Sequence, residues 1–188
     1  MKKIREYFER TTMLSDADWE IFSCRLVRRE YGGRTLVLKA GEREDYLSFV
    51  ESGVLRCYVP KEENDITFSF AFPGAFMSAY DSFLTRVPSA YHVETLTAAT
   101  LWRISYDQLQ EIYKKTAAGN VIGRVAAEAL FLRKSKRELS LLGESARERY
   151  LRLLTEQPEM LQQIPLKYLA SYIGITPQAL SRIRRRIS

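Results

Sequence analysis

The chain has 188 residues, 46% hydrophobic and 28% charged, enough to bury a substantial core, which excludes a disordered tail, a collagen-like repeat or a disulfide mini-protein. No apolar run approaches the roughly 20 residues a membrane helix needs, and Met1-Lys2-Lys3-Ile4-Arg5-Glu6 holds no hydrophobic signal stretch. A soluble, cytoplasmic protein of one large domain or two small ones is therefore expected, with no membrane partner. The formal charge of +6 is unevenly spread: residues 1–132 hold 17 basic and 18 acidic side chains, whereas residues 133–188 hold 12 basic and 5 acidic, net +7.

That asymmetry points to a polyanion-binding module at the C-terminal end of a nearly neutral body, against the plainer alternative of a solvated basic surface. Cys24 and Cys57 stand far apart and outside C-x-x-C spacing. Neither a disulfide framework nor a metal or iron–sulfur cluster follows from them, and no cofactor is expected.

In chain order, Ile4, Tyr7 and Phe8 recur at helical spacing, and Ser15 with Asp18 gives a capping signal ahead of Trp19 and Phe22. Two short amphipathic helices are predicted. After Tyr31-Gly32-Gly33 the period changes to short runs rich in β-branched and aromatic residues: Leu36 with Leu38, then 46–50, 54–59, 66–72, 91–96 and 100–104. Turn residues at 40–42, 52–53, 61–65 and 73–74 separate them. Closely spaced short strands that do not alternate with long helices predict an antiparallel barrel or jelly roll.

Helical periodicity resumes at Tyr106. Asn120 is placed to cap a helix carrying Ile122, Val125, Ala129, Leu132 and Leu139 at a and d positions, interrupted by Lys136 and ended by Gly143. Such a seam serves either to pair two chains or to pack on the chain's own β domain. Ser145 to Glu148 forms a capping box that opens the next helix, which stops near Pro158. The fold class is thus α+β, with a β-barrel at 1–118, a long helix at 119–143 and an all-α domain at 144–188.

The strongest signal runs from Pro165 to Arg186. Pro165 suits the first turn of a helix that buries Leu166, Leu169, Ala170 and Ile173, and Gly174 ends it where the chain turns with positive φ. Thr176 caps a second helix, starting at Pro177, that buries Leu180 and Ile183. Ala170 must be small where the two helices cross. This is the spacing of a DNA-binding helix-turn-helix. In that arrangement the exposed N-terminal part of the second helix, with Thr176, Pro177, Gln178, Ala179, Ser181 and Arg182, meets base edges in the major groove. Arg182 suits bidentate donation to guanine and Gln178 to adenine, while Lys167, Ser171, Tyr172 and Thr176 are placed for phosphates. Arg184, Arg185 and Arg186 add three charges within one turn along the DNA backbone, so binding is expected to depend strongly on salt.

A barrel, a long helix and a C-terminal helix-turn-helix, in that order, resemble the Crp/Fnr family of bacterial transcription regulators across nearly the whole chain. Gly41-Glu-Arg-Glu-Asp-Tyr-Leu-Ser-Phe-Val-Glu-Ser-Gly53 is similar to the family's barrel hairpin, G-x-x-x-x-x-L-x-x-[IV]-x-x-G. Phe72-Pro-Gly-Ala-Phe76 is similar to the lead into its effector cassette. The stretch 166–186 is especially similar to members with short C-termini that end at or just after the recognition helix and lack the trailing wing hairpin. The resemblance implies a cyclic-nucleotide-binding-like sensor barrel, a homodimer paired along 120–142, and double-stranded DNA with a pseudo-palindromic site as partner. RNA polymerase is a further partner in such systems.

In members that bind cyclic nucleotides, a carboxylate after a glycine accepts the ribose hydroxyl, and an arginine beside a Ser or Thr neutralises the phosphate. The resemblance places the Gly–Glu pair on Ser78–Ala79 and the Arg–Ser pair on Pro88–Ser89, so only the serine is kept. Arg86 and Asp81 lie nearby at non-matching positions. Because an anionic phosphate needs a positive partner, cAMP and cGMP are not expected to bind. Tyr80, Phe83, Tyr91 and His92, with Ser78 and Ser89, either line a site for another small effector or fill the space themselves.

Enzyme readings fail for want of a phosphate loop, a dinucleotide fingerprint or a histidine beyond His92. A small-ligand-binding or protein-interaction module with a structural helix-turn-helix is the alternative to a regulator.

Overall fold

The computed structural model describes residues 1–187. Two helices open the chain, α1 (Lys2–Glu9) and α2 (Asp16–Ser23), the second capped by Ser15, whose Oγ accepts from the Asp18 amide at 3.0 Å. Eight strands follow: β1 (Val27–Tyr31), β2 (Leu36–Leu38), β3 (Tyr46–Ser52), β4 (Leu55–Val59), β5 (Ile66–Ala71), β6 (Phe76–Met77), β7 (His92–Thr95) and β8 (Ala99–Ser105). A short helix, α3 (Tyr80–Thr85), sits between β6 and β7. The strands form two four-stranded sheets, ordered β1-β8-β3-β6 and β2-β7-β4-β5, as the expected jelly roll requires.

Among the strands and the helices between them, three elements carry no clear sequence signal. Val27–Tyr31 reads VRREY and is almost wholly exposed, yet it pairs antiparallel with β8 from Val27↔Arg103 to Tyr31↔Ala99. An edge strand wetted on its outer face has no alternation to detect. β6 is two residues long and α3 six, both below the length at which periodicity is readable.

The core of this part lies between α1, α2, α4 (Tyr106–Lys115) and the β3–β8 face. It gathers Ile4, Phe8, Phe22, Phe49, Ile104 and Ile112, all at most 7% exposed. Edge-to-face contacts join Phe8 to Phe22 at 4.7 Å and Phe49 to Phe76 at 5.1 Å. Gly53 sits at φ +87°, where an added Cβ would stand 2.5 Å from the Ala98 carbonyl oxygen. Only glycine fits that crossing of the β3–β4 turn beneath β8.

The long helix α5 spans Ala117–Gly143, 27 residues and about 40 Å. It begins three residues before Asn120, which is not its cap: Asn120 Nδ2 donates to the Tyr113 carbonyl at 2.8 Å. Thr116 performs that task. Its Oγ1 accepts from the Gly119 amide at 3.0 Å and donates to the Ile112 carbonyl at 2.9 Å, so one hydroxyl closes α4 and opens α5. Then come α6 (Ala146–Glu156), α7 (Pro158–Gln163), α8 (Leu166–Ile173) and α9 (Pro177–Arg185). The Ser145/Glu148 capping box opens α6. As expected, α6 stops just before Pro158, which, with no amide hydrogen to lose, begins α7.

The described chain falls into two compact units. One contains Met1–Cys57 and Phe70–Ala129; the other contains Tyr58–Ser69 and the residues from Leu130 onward. The outer part of the β4–β5 hairpin therefore groups with the C-terminal helices rather than with the strands it grows from.

Candidate nucleic-acid interface and effector cassette

In the C-terminal unit α8 buries Leu169, Ala170 and Ile173, and α9 buries Leu180, while Leu166 and Ile183 are half-buried. Ala170 and Leu180 are both fully enclosed. The turn between the helices is a Schellman motif: Gly174, at φ +87°, donates to the Ser171 carbonyl, and Ile175 donates to the Ala170 carbonyl, each at 3.0 Å.

Two α8 carbonyls lie beyond the reach of that motif, and arginines from other helices take them. Arg137 of α5 donates to the Tyr172 carbonyl at 2.8 Å, with its guanidinium 3.8 Å above the Tyr172 ring. Arg149 of α6 donates through Nε to the Ile173 carbonyl at 2.8 Å and through Nη1 to the Glu144 and Ser140 carbonyls. Arg152 joins the same knot through Glu144 and Ser140, and Lys136 reaches Glu156 at 2.8 Å. Burial pushes the Arg137 guanidinium below its ordinary pKa, though an arginine stays charged near neutrality. Lys136, Arg137, Arg149 and Arg152, all among the twelve cations counted as a polyanion footprint, are thus engaged within the unit, Arg137 and Arg149 at helix-end carbonyls and Lys136 and Arg152 at side chains. Sequence gave no sign of this, because a capping arginine and a phosphate-binding arginine look alike in a charge count.

The surface that the helix-turn-helix turns outward begins at Thr176, whose Oγ1 accepts from the Ala179 amide at 3.2 Å and caps α9. Its hydroxyl proton is still available to a ligand. Thr176, Gln178, Arg182, Arg184, Arg185 and Arg186 are exposed, and Pro177, Ala179 and Ser181 half-exposed. Lys167 is exposed on α8, with Nζ 4.6 Å above the Tyr168 ring. Ser171 stands apart from this set, its hydroxyl donating to the Asp65 carbonyl at 2.7 Å and accepting from the Thr67 amide at 2.8 Å.

In the barrel, the expected effector residues occupy the segment from β6 to β7. Ser78 Oγ donates to the Tyr46 carbonyl at 2.9 Å, and Ala79 is fully buried. The Tyr80 ring stacks on Phe83 at 6.0 Å, and burial raises its pKa. Arg86, held at φ 62°, turns away toward the 44–45 loop. It donates to the Glu44 carbonyl at 2.9 Å, pairs with the Asp45 carboxylate, and lies 4.4 Å above the Tyr106 ring.

Asp81 accepts from the Tyr91 hydroxyl, and that bond together with burial drives the Tyr91 pKa far upward, burial contributing most. Ser89, 3% exposed, donates to the Tyr91 carbonyl at 2.9 Å; Pro88 is exposed; and His92 Nδ1 accepts from the Ala40 amide at 2.8 Å. The cassette's cation and carboxylate therefore have partners within the protein. A buried barrel cation, Arg56 of β4, is 2.7 Å from Glu94 of β7. Cys57, buried, has its Sγ 3.7 Å from Met77 Sδ beside the cassette, and Glu44, 2% exposed and 3.5 Å from Arg103, is not among the expected site residues. Nothing in its local sequence marks Glu44 as a buried ion-pair partner. Among the described residues no group of three or more His, Cys, Asp or Glu side chains is placed to hold a metal ion, and no helix is long and apolar enough to cross a membrane.

Residues 28–116 match the cyclic nucleotide-binding domain family. No curated protein matches the chain in sequence. Among solved structures the chain is similar to the c-di-GMP-responsive global regulator CLP of Xanthomonas campestris, at 20% identity and TM-score 0.70, covering 92% of this chain and 91% of that one. It is also similar to FixK2 of Bradyrhizobium japonicum (14% identity, TM-score 0.72, covering 86% and 84%). A Crp/Fnr-family protein of Eubacterium rectale gives 19% identity and TM-score 0.70, covering 92% and 83%. Residues 28–116 thus match the cyclic nucleotide-binding domain family, and the chain shares its fold with solved regulators that include CLP and a Crp/Fnr-family protein.

Proposed function

We propose that the protein is a non-enzymatic, DNA-binding transcriptional regulator of the Crp/Fnr type, acting as a dimer on a pseudo-palindromic site. The observation that carries this is the outward row Thr176, Gln178 and Arg182 on a capped helix whose other face is locked by Leu180, continuing into Arg184, Arg185 and Arg186. Short polar and bidentate groups at the helix start read base edges, and the arginines after them hold phosphates.

On this reading, Arg182→Ala leaves the fold intact and costs about 1–3 kcal/mol of discrimination at one base position in a mobility-shift competition. Equal affinity of wild type and variant for every competitor sequence would count against it.

Pairing of two chains is supported by the α5 seam. Leu132 and Leu139, one heptad apart, are 66% and 67% exposed, and Phe131 and Leu142 are 71% and 79% exposed. The described chain does not cover these side chains, and apolar area of this kind is the face that a second copy buries. Leu132→Asp with Leu139→Asp is expected to give a folded monomer by light scattering and, because two half-sites act together, to weaken DNA binding by at least about a hundredfold.

The effector we infer is not a cyclic nucleotide monophosphate. Arg86 is committed to Asp45 and the Glu44 carbonyl, so a cyclic phosphate at the cassette would have to break that pairing before meeting a positive charge. By the sequence boundaries, residues 1–118 serve as sensor, 119–143 as dimer helix and 144–188 as reading head.

A further inference from the structure

Glu44 is a carboxylate buried to 2% exposure beside the cassette. Its backbone is anchored there independently of its side chain: the amide donates to Ser82 Oγ at 3.0 Å, and the carbonyl accepts from Arg86 Nη1 at 2.9 Å. The side chain then enters a ring of donors. Oε1 accepts from the Tyr46 amide at 2.9 Å and stands 3.5 Å from Arg103 Nη2, while the amides of Ala79 and Asp45 bond the same carboxylate. Burial raises the Glu44 pKa, and the Tyr46 amide, Arg103 and the Ala79 and Asp45 amides draw it back only in part.

Arg103 is fixed by groups other than Glu44. Its Nε donates to Ser48 Oγ at 3.2 Å, its Nη1 donates to the Tyr31 hydroxyl at 2.8 Å, and the guanidinium lies 4.2 Å above the Tyr46 ring. Three backbone amides and a held guanidinium therefore converge on one enclosed point. Donors arranged in this way make an anion site, and here the anion belongs to the chain itself. A second anion brought to these donors meets a buried like charge and finds them already taken.

We propose that Glu44 is a specificity-determining residue of the cassette, an internal anion that occupies its enclosed anion site and so refuses effectors carrying an anionic group there. This rests on the reading of the barrel as a sensor.

The test uses the 188-residue chain with Glu44→Ala, Glu44→Ser and Glu44→Gln. Acetate is the probe, because Glu44→Ala deletes a fragment of its size and charge. Chloride at equal ionic strength, and pivalate, too bulky for the vacated space, are the controls. Melting temperature and amide hydrogen exchange at Ala79 are the readouts. Glu44→Ala is expected to lower the melting temperature by about 5–10 °C and to speed Ala79 exchange by about tenfold, since a buried guanidinium and three amides lose their acceptor. Acetate at about 0.1 M, bound with a dissociation constant of about 10 mM, slows that exchange again by about tenfold, and chloride and pivalate do not. Glu44→Ser leaves the same space and responds in the same way. In the wild type and in Glu44→Gln the space is filled, so acetate acts no differently from chloride.

Ala79 exchange unchanged by the truncations overturns the proposal. So does an acetate response of equal size in the wild type, or truncated chains that stay unfolded in acetate as in chloride. If no small molecule regulates the barrel, the sensor reading fails and the refusal of effectors fails with it, whereas the acetate response reports on the anion site alone.

Discussion

Replacing Arg184, Arg185 and Arg186 together by alanine is expected to weaken DNA binding by about a hundredfold or more at ~0.1 M salt, and to flatten the dependence of log affinity on log salt by about one unit per arginine in each reading head. Each arginine that neutralises a phosphate releases a condensed counterion, and that release is what salt suppresses. The three side chains are exposed at the end of α9, so removing them leaves the buried contacts of Ala170, Ile173 and Leu180 in place. The folded state loses only the favourable meeting of cations with a helix C-terminus, about 0.3–1 kcal/mol per charge. Fluorescence anisotropy titrations between low and moderate salt check the slope, and circular dichroism checks the fold. A slope unchanged from wild type would place these arginines away from the DNA backbone.

The second large effect is on stability. Arg149→Ala is expected to destabilise the C-terminal unit by about 2–4 kcal/mol, the range for leaving several enclosed acceptors without a donor. The guanidinium serves the Ile173 carbonyl at the end of α8 and the Ser140 and Glu144 carbonyls at the end of α5, so its loss strips two helix ends at once. The barrel core is built from Ile4, Phe8, Phe49 and their neighbours and contains no residue of this knot. Unfolding by denaturant, followed by amide exchange at Leu180 and at Phe49, should show the loss at Leu180 and not at Phe49. Arg149→Lys, which donates from one point in place of a fork, should recover only part of it. A change at Leu180 below about 0.5 kcal/mol would mean that water replaces the guanidinium without cost.

These two expectations divide the basic third of the chain in a way its charge count does not. Lys136, Arg137, Arg149 and Arg152 lie in the same +7 stretch as Arg184, Arg185 and Arg186, yet the first group ties helices together and the second lies on the open face. What sequence could read were features written in local chemistry. The caps at Ser15, Ser145 and Thr176 and the positive-φ turn at Gly174 depend on two to four adjacent residues, and all are present as expected.

What it could not read depended on distant partners. β1 forms because β8 is there to pair with it, whatever its own polarity. Thr116 displaced Asn120 as the start of α5 because α4 ends against it and offers the Ile112 carbonyl. At the cassette the sequence separated a missing phosphate cation from a nearby Arg86, but the turning of Arg86 toward Asp45 depends on a loop forty-one residues earlier. Ser171 fits a phosphate contact by position, and the hairpin that occupies it lies 104 to 106 residues away.

The central claim, that two copies of this chain read DNA through α9, is tested most directly by selecting bound sequences from a random double-stranded DNA pool with the 188-residue chain. The account predicts an enriched pseudo-palindrome whose half-sites are centred about one helical turn, roughly 34 Å, apart, with information lost at one position per half-site when Arg182→Ala is used. A pool that shows no enrichment, or enrichment of a single half-site with no symmetric partner, would contradict it.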